Sequence, residues 1–249
     1  MLENFSVLQI ILINIIFLWT GFVRSGLGFG GAALGLPFML FVYDQPIYWL
    51  PIVGAHLLFF SSLTIGTGVK HVDWRYILRS SRYILPAALV GVFGLISLPS
   101  YWLNIFIYSV TLLYGAMWLL NRDFSSHNMW VDKILLAIGG YIAGTSLTGA
   151  PLIVAVYMRN VPFEKLRNTL FVLWFILVAI KMITLASFGV ELQLLNALAL
   201  LPIAAVGHFL GLRVHQAILR NQLLFKRIMG GVLVMVCTLG FLNLLATGG

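Results

Sequence analysis

Long stretches of apolar residues alternate with short polar segments along nearly the whole chain. Most stretches approach the ~20 residues that an α-helix needs to cross the hydrocarbon core of a bilayer. The polar segments between them contain Pro, Gly and Asn, which are typical of turns. The pattern predicts an all-α polytopic membrane protein with apolar blocks at 5–23, 26–43, 47–69, 83–98, 102–120, 134–158, 168–188, 192–212 and 228–246.

Composition supports this prediction and excludes most other classes. Of the 249 residues, 61% are apolar and 9% are charged, whereas soluble domains have roughly 45–50% and about 25%. The values exclude a soluble enzyme, a disulfide scaffold, a disordered chain and a nucleic-acid-binding module. The net charge of +8 is explained by basic residues that collect in cytoplasmic loops. The single cysteine, Cys237, lies in the last apolar block, where we expect it to pack.

The two halves of the chain contain similar motifs in the same order. Pro86–Gly91 falls on Pro202–Gly207 when the chain is shifted by 116 residues. At a shift of 114, the first glycine–proline segment falls on a second one, with Gly26, Gly30, Gly35 and Pro37 matched to Gly140, Gly144, Gly149 and Pro151. Chance matches among common membrane residues are the alternative, but the order favours duplication. Repeats of this kind are typical of secondary transporters.

The loop charges predict how each half crosses the membrane. If segment 134–158 folds back as a hairpin, all 13 Lys and Arg residues of the loops lie on one side; if it crosses once, they divide 6 against 7. The positive-inside rule therefore favours the hairpin. We expect two inverted repeats with both termini outside, at 1–121 (hairpin 5–43, helices 47–69, 83–98 and 102–120) and 122–249 (hairpin 134–158, helices 168–188, 192–212 and 228–246).

The glycine-rich segments are the best candidates for a binding site. Glycine permits a helix break, and Pro37 and Pro151 suit the first turn of a new helix. Such a helix start offers free N–H groups and partial positive charge to an anion near the midplane. Glycines that let substrate approach, and hydroxyl donors beside them, are Ser25, Gly28, Gly30, Gly31, Gly35, Gly144, Thr145, Ser146, Thr148 and Gly149. The alternative, a small-residue packing seam of the GxxxG kind, stays open.

Two cations and two histidines lie inside the apolar blocks. Arg24 adjoins the first break and Lys181 lies in the block 168–188. A cation within the bilayer is costly, and an anionic substrate is a natural counter-ion for both. Alternatively, Arg24 binds backbone carbonyls freed by the break, and Lys181 snorkels to the membrane surface. His56 and His208 are either structural or couple transport to protons.

Other kinds of site have no support in the sequence. It contains no metal-ligand cluster, no phosphate-binding loop, no paired carboxylates and no nucleophile–base set with readable spacing. We therefore expect no catalytic residue, no metal, no cofactor and no enzymatic activity. The expected partners are a small anionic substrate and the lipid bilayer; formation of a homo-oligomer is left open.

The repeated motifs resemble the TauE/SafE family of membrane permeases. The resemblance rests on Gly28–Gly31 through Pro37, on Gly144 through Pro151, and on the two Pro-to-Gly motifs. It implies a permease of the bacterial inner membrane for sulfite or organosulfonates such as sulfoacetate, commonly an exporter. The second copy has Thr145 and Ser146 where the first has Gly31 and Ala32, so the two hairpins need not contact substrate equally.

We therefore expect a secondary transporter that exports small sulfur-containing anions by alternating access. The alternatives are an uncoupled anion channel, whose flux follows the gradient of the anion alone, and a membrane protein that assembles with others and transports nothing.

Overall fold

The computed structural model describes residues 5–27, 31–122, 124 and 128–247. Within these ranges the chain forms ten α-helices and a 3-10 turn at Val69–His71. The helices are α1 (Val7–Leu27), α2 (Gly31–Val42), α3 (Pro46–Gly68), α4 (Trp74–Ser97), α5 (Ser100–Leu119), α6 (Met129–Ser146), α7 (Ala150–Asn160), α8 (Phe163–Ser187), α9 (Leu194–Arg220) and α10 (Gln222–Thr247). Seven of them, all except α2, α6 and α7, are long and apolar enough to cross a membrane. The prediction of an all-α membrane protein is confirmed.

The helices extend beyond the apolar blocks into segments that the sequence indicated to be loops. Helix α4 begins at Trp74 rather than at residue 83, because Asp73 caps its first turn: its carboxylate accepts the N–H of Tyr76 at 2.9 Å. Helix α9 likewise continues to Arg220 rather than ending at residue 212. The blocks mark where a helix is apolar, and charged turns at the membrane surface continue it.

The chain divides into two compact units, and each takes segments from both halves of the sequence. Unit 1 comprises Met1–Trp49, Leu98–Asp123 and Leu194–Gly249, and unit 2 comprises Leu50–Ser97 and Phe124–Gln193. Each unit contains one helical hairpin and two long helices from the other half of the chain. The inverted relation of the sequence halves, 1–121 and 122–249, stays a prediction.

In unit 1, helices α1 and α2 form the first hairpin, called hairpin 1 below. The indole N–H of Trp19 donates to the carbonyl of Leu34 at 3.2 Å, and the Gln9 amide donates to Val42 at 3.1 Å. The bonded residues are 15 apart in sequence near the break and 33 apart further from it, which is the pattern of an antiparallel hairpin. Helix α1 packs along α9, and α5 packs along α10.

In unit 2, helices α6 and α7 form hairpin 2. Helix α7 folds back closely on α6: a side chain at Gly139 would have its Cβ only 2.8 Å from Ile153 and 3.2 Å from Leu152. Helix α6 packs along α4, and α8 contacts α4, α6 and α7. The hairpin that the loop charges predicted for segment 134–158 is therefore present, with arms at 129–146 and 150–160.

The leading arms of both hairpins pack through the same pattern of backbone contacts. A Cβ at Gly144 would overlap the carbonyl oxygen of Ala88, and a Cβ at Gly21 would overlap that of Ala204. The reciprocal contacts also match. Gly91 lies against the carbonyl oxygen of Tyr141, and Gly207 lies against that of Leu18. In both units the helices approach so closely that only glycine fits at these points.

These contacts give hairpin 1 a different register from the one that the sequence suggested. Ala88 and Ala204 are separated by 116 residues, as the sequence repeat predicts, but Gly144 and Gly21 are separated by 123. A shift of 114 would instead pair Gly144 with Gly30. The sequence repeat and the packing contacts therefore align the leading arms of the two hairpins differently.

Candidate functional site

The break in hairpin 2 is a short turn between α6 and α7. The residue after α6, Leu147, adopts a left-handed conformation with φ of 60°, and its N–H donates to the carbonyl of Ala143 at 3.0 Å. Helix α7 begins at Ala150, with Pro151 in its first turn. Its N-cap residue is Gly149, so no side chain accepts a hydrogen bond from the first N–H groups of α7. Pro151 thus has the position at a helix start that the sequence suggested.

The three hydroxyl groups at this break are buried and bonded within hairpin 2. Thr145, Ser146 and Thr148 are each at most 1% exposed. The Thr145 hydroxyl donates to the carbonyl of Tyr141 at 2.9 Å. Ser146 donates to that of Ile142 at 3.1 Å, and its hydroxyl lies 2.6 Å from that of Thr148. One proton arrangement satisfies both distances: Thr148 donates to Ser146, and Ser146 donates to Ile142.

Lys181 reaches the end of α6 from helix α8. Its ammonium donates to the carbonyl oxygens of Gly144 at 2.7 Å and of Thr145 at 3.2 Å, and the residue is 2% exposed. Lys181 therefore does not snorkel. It neutralises the negative end of the α6 dipole, where the last carbonyls of a helix lack intrahelical partners. Two of its three N–H donors have partners inside the protein.

The break in hairpin 1 combines a buried cation with two histidines. Arg24 is 6% exposed and lies in the last turn of α1, next to Ser25. The Ser25 hydroxyl donates to the carbonyl of Gly21 at 3.1 Å and is also hydrogen-bonded to Nδ1 of His208. At the next residue of α1, the carbonyl oxygen of Gly26 lies 2.6 Å from Nδ1 of His215. Helix α9 thus holds the end of α1 through two imidazoles.

The glycines of hairpin 1 serve close packing where they are described. Gly31 faces the stem of Arg24, whose Cβ would be 3.1 Å from a Cβ at that position. Gly35 faces the methyl group of Thr20. Gly28 and Gly30 lie outside the described residues.

Helix α2 does not begin at Pro37 as the sequence suggested. It begins at Gly31, and Pro37 is its seventh residue. A proline inside a helix leaves one carbonyl without its usual donor, which membrane helices tolerate because neighbouring groups satisfy it. Only the second of the two repeated prolines therefore marks a helix start.

The structure divides the candidate residues between the two units. Unit 2 brings together Gly144, Thr145, Ser146, Thr148, Gly149, Pro151 and Lys181. Unit 1 brings together Arg24, Ser25, Gly31 and His208, with Gly35 and Pro37 further along α2. His56 belongs to unit 2, where it is 2% exposed and its ring meets the edge of Phe60. Among the described residues, no group of three or more His, Cys, Asp or Glu could hold a metal ion.

Sequence reasoning missed two features that the hairpins create. His215 follows His208 by seven residues, which places both on one face of α9 and was a readable signal. At the open end of hairpin 2, Arg159 forms an ion pair with buried Asp132 at 3.1 Å, and buried Tyr157 bonds Ser80 at 2.6 Å. The predicted hairpin itself implied the Arg159–Asp132 ion pair, because folding 134–158 back on itself brings residues 132 and 159 side by side.

Comparison with known families identifies the chain. A family model described as sulfite exporter TauE/SafE matches residues 13–239. No curated protein and no solved structure matches the chain. The family match covers both breaks, all of hairpin 2 and most of hairpin 1, and the chain therefore belongs to the TauE/SafE sulfite exporter family.

Proposed function

We propose that this protein is a secondary transporter that exports small sulfur-containing anions, sulfite or organosulfonates such as sulfoacetate, across the inner membrane of a bacterial-type cell. The observation that carries the proposal is the family match over residues 13–239. In this proposal both termini lie outside, and the two hairpin breaks supply the anion contacts. Transport follows from exchange of conformation between two inverted halves.

The break in hairpin 2 has the chemistry that an oxyanion needs. The first N–H groups of α7 have no side-chain acceptor, and a helix start attracts negative charge. The hydroxyls of Ser146 and Thr148 lie within two residues of this helix start and can turn towards a ligand. Lys181 keeps one donor beyond those that it gives to α6. In hairpin 1, Arg24 and Ser25 are the corresponding contacts in the proposal.

Burial at the breaks favours a transporter over an open channel. Arg24, Ser25, Ser146, Thr148 and Lys181 are each at most 6% exposed. A continuous aqueous pore would leave its lining groups wet, whereas alternating access includes states in which the binding groups are closed off from water. We therefore favour coupled transport over the uncoupled channel.

Ligand-dependent stability of the purified protein tests the substrate class. Sulfite, sulfoacetate, sulfate, acetate and chloride are added separately in neutral detergent, and the free energy of unfolding is compared. A ligand that binds only the folded state stabilises it by about 2.7 kcal/mol at a hundred times its Kd. We expect sulfite or sulfoacetate to stabilise the protein and acetate and chloride to have no effect.

A matched pair of variants tests whether the stabilisation by the anion depends on the Thr148 hydroxyl at the break. Thr148→Val keeps the side-chain shape and removes the hydroxyl, and Thr148→Ser keeps the hydroxyl. The stabilisation should be lost in the first and retained in the second. Equal stabilisation in both variants would remove Thr148 from the site.

Flux measurements separate the transporter from its alternatives. The protein is reconstituted into vesicles loaded with the anion that stabilises it, and efflux is followed with and without a proton gradient. Efflux that changes when the gradient is collapsed supports coupled transport. Efflux that is insensitive to the gradient supports the channel, and vesicles that release no anion support the non-transport alternative.

A further inference from the structure

A polar cavity lies in unit 2, at the end of hairpin 2 opposite to the break. Its volume is about 400 Å³, and it is lined by the first turns of α4 and α6 and by the last turn of α7. This is within the 300–1,000 Å³ range of small-molecule sites. No residue of this cavity is used in the proposed transport site, so the two can be examined separately. It is called the basic cavity below.

The charge of the basic cavity is strongly positive. Four cationic side chains contribute to its lining, Arg79, Arg82, Lys133 and Arg159, against one anionic side chain, Asp132. The Arg159–Asp132 contact is the one ion pair found among the described residues. Arg79, Arg82 and Lys133 therefore bring positive charge to the cavity that no carboxylate within the described ranges balances.

Two of these cations, Arg82 and Lys133, are held near the cavity by contacts that leave donors available. Arg82 donates through Nε to the carbonyl oxygen of Arg79 at 2.9 Å, which leaves its two terminal nitrogens. The Lys133 ammonium lies 4.0 Å from the centre of the Trp130 ring, a cation–π contact that uses no hydrogen-bond donor. Guanidinium and ammonium groups arranged in this way bind the oxygens of phosphate, sulfate or sulfonate groups.

Asp132 adds a second condition for any molecule that binds in the basic cavity, beyond its negative charge. It is 6% exposed, and its Oδ2 accepts hydrogen bonds from Arg159 at 3.1 Å and from Asn160 at 3.3 Å. Its Oδ1 is buried and has no hydrogen-bond partner among the described residues. A buried carboxylate oxygen without a donor is costly. A simple anion offers this carboxylate no donor, whereas a molecule that also carries a hydrogen-bond donor does.

We propose that the basic cavity binds a molecule that carries both an oxyanion group and a nearby ammonium or hydroxyl donor. The oxyanion contacts Arg79, Arg82 and Lys133, and the donor binds the Asp132 carboxylate. Phosphoethanolamine chemistry meets both conditions. It occurs in free solutes and in phospholipid headgroups. Trp74 and Trp130 are exposed at the starts of α4 and α6, which places the cavity at the headgroup level of a membrane.

The test uses two pairs of probes that differ only in the donor. Phosphoethanolamine and phosphocholine share the phosphate, but the quaternary ammonium of phosphocholine has no N–H; phosphatidylethanolamine and phosphatidylcholine are the lipid counterparts. Binding to the purified full-length protein in neutral detergent is measured by calorimetry for the solutes and by native mass spectrometry for the lipids. We expect the ethanolamine compound to bind about tenfold more tightly than its choline counterpart in one pair or both.

Which pair shows this preference identifies the source of the ligand. Preference in the lipid pair alone assigns the cavity to a headgroup, and preference in the solute pair assigns it to a free molecule. Equal affinity for ethanolamine and choline compounds in both pairs, or no binding of any of the four, overturns the proposal.

Variants connect the binding to the named residues. Arg79→Gln combined with Arg82→Gln should weaken ethanolamine binding at least tenfold, because both side chains are exposed and their loss removes oxyanion contacts rather than packing. Asp132→Asn should remove the preference for ethanolamine over choline. The control is Arg75→Gln, an exposed cation in the first turn of α4 that does not line the cavity.

The double variant keeps the proposal falsifiable if Asp132→Asn fails to fold. Unchanged ethanolamine binding in a folded Arg79/Arg82 double variant would overturn the proposal, as would equal weakening by Arg75→Gln.

Discussion

In hairpin 1 the cation at the break, Arg24, belongs to the helix that ends there, whereas in hairpin 2 Lys181 reaches the end of α6 from α8. Hairpin 2 is thus tied to its neighbour by an ammonium bound to two backbone carbonyls. Hairpin 1 is tied to α9 by imidazoles, through His208 on Ser25 and His215 on the carbonyl of Gly26. The two breaks are therefore held by different helices and through different chemical groups.

The arms that lead into these breaks do not differ in this way. Gly21 and Gly144 both lie against a backbone carbonyl of the long helix beside them, at Ala204 and Ala88 respectively. These close contacts of the leading arms, called the packing seams below, are therefore common to both hairpins, whereas the chemistry of the breaks is specific to each. Changes at the seams should therefore have equal effects in the two hairpins, and changes at the breaks should have unequal ones.

The largest effect is expected from alanine at the seam glycines. Gly21→Ala and Gly144→Ala each place a methyl group on a backbone carbonyl that no side-chain rotation can move. The helices must separate, and we expect each variant to lower the free energy of unfolding by about 3 kcal/mol. The measurement is equilibrium unfolding in detergent micelles, with anion transport in vesicles as a second readout.

The control for this prediction is Gly231→Ala, in α10. Its nearest neighbour, a methyl carbon of Leu119, is 3.8 Å from the new Cβ, which is ordinary contact. Alanine is the better helix former, so this variant should be as stable as the parent or up to about 1 kcal/mol more stable. A difference of more than about 2 kcal/mol between the two seam variants would contradict the view that both hairpins pack alike.

A smaller and unequal effect is expected at the breaks. Lys181→Met removes a charged donor from two buried carbonyl oxygens, which should cost about 2 kcal/mol. His215→Phe removes one half-buried contact to the Gly26 carbonyl and should cost about 1 kcal/mol. Unfolding in the same micelles measures both, and hydrogen exchange at the end of α6 should accelerate only in the Lys181 variant.

Ile183→Met serves as the control on α8, because Ile183 is 69% exposed and its change leaves α6 untouched. A Lys181→Met protein as stable as this control would show that the ammonium does not hold the break. Equal costs for the Lys181 and His215 variants would remove the distinction between the two breaks.

Much of this fold could be predicted from the sequence because bilayer thickness and loop charge are strong constraints. The apolar helices and the hairpin at 134–158 follow from apolar length and basic loops, and repetition indicated the similar packing contacts at Ala88 and Ala204. The register of hairpin 1 could not be predicted, because Gly21 and Gly30 look alike in sequence and only packing against Ala204 distinguishes them. The start of α4 was missed because its charged first turns resemble a loop.

For the candidate residues, burial could be predicted from the sequence, but their hydrogen-bond partners could not. Burial of Lys181 and Arg24 follows from their position in apolar blocks, and the structure agrees. That Lys181 binds the end of α6 could not be inferred, since its partners are backbone carbonyls, which every residue possesses. The hydroxyls of Ser146 and Thr148 likewise bond one another only because Leu147 turns the chain between them.

The smallest predicted effect concerns that turn, which follows the end of α6. Leu147 is not glycine, yet its φ is 60°, a conformation that costs an L-residue roughly 1–2 kcal/mol. Leu147→Gly and Leu147→Ala both remove the half-buried side chain, but only glycine removes the backbone strain. The greater flexibility of glycine in the unfolded chain offsets about 0.4–1 kcal/mol of this gain. We therefore expect the glycine variant to be about 0.5–1 kcal/mol more stable than the alanine variant, measured by unfolding in micelles.

The pair is informative because its members differ by a single methyl group. If the alanine variant is instead the more stable, the turn does not hold the left-handed conformation, and α6 then continues past Ser146 towards α7. In that case the hydroxyls of Ser146 and Thr148 would no longer lie side by side, and the N–H groups at the start of α7 would lie within a longer helix. Hairpin 2 would lose its turn at Leu147, and with it the strongest local support for an anion site at its break.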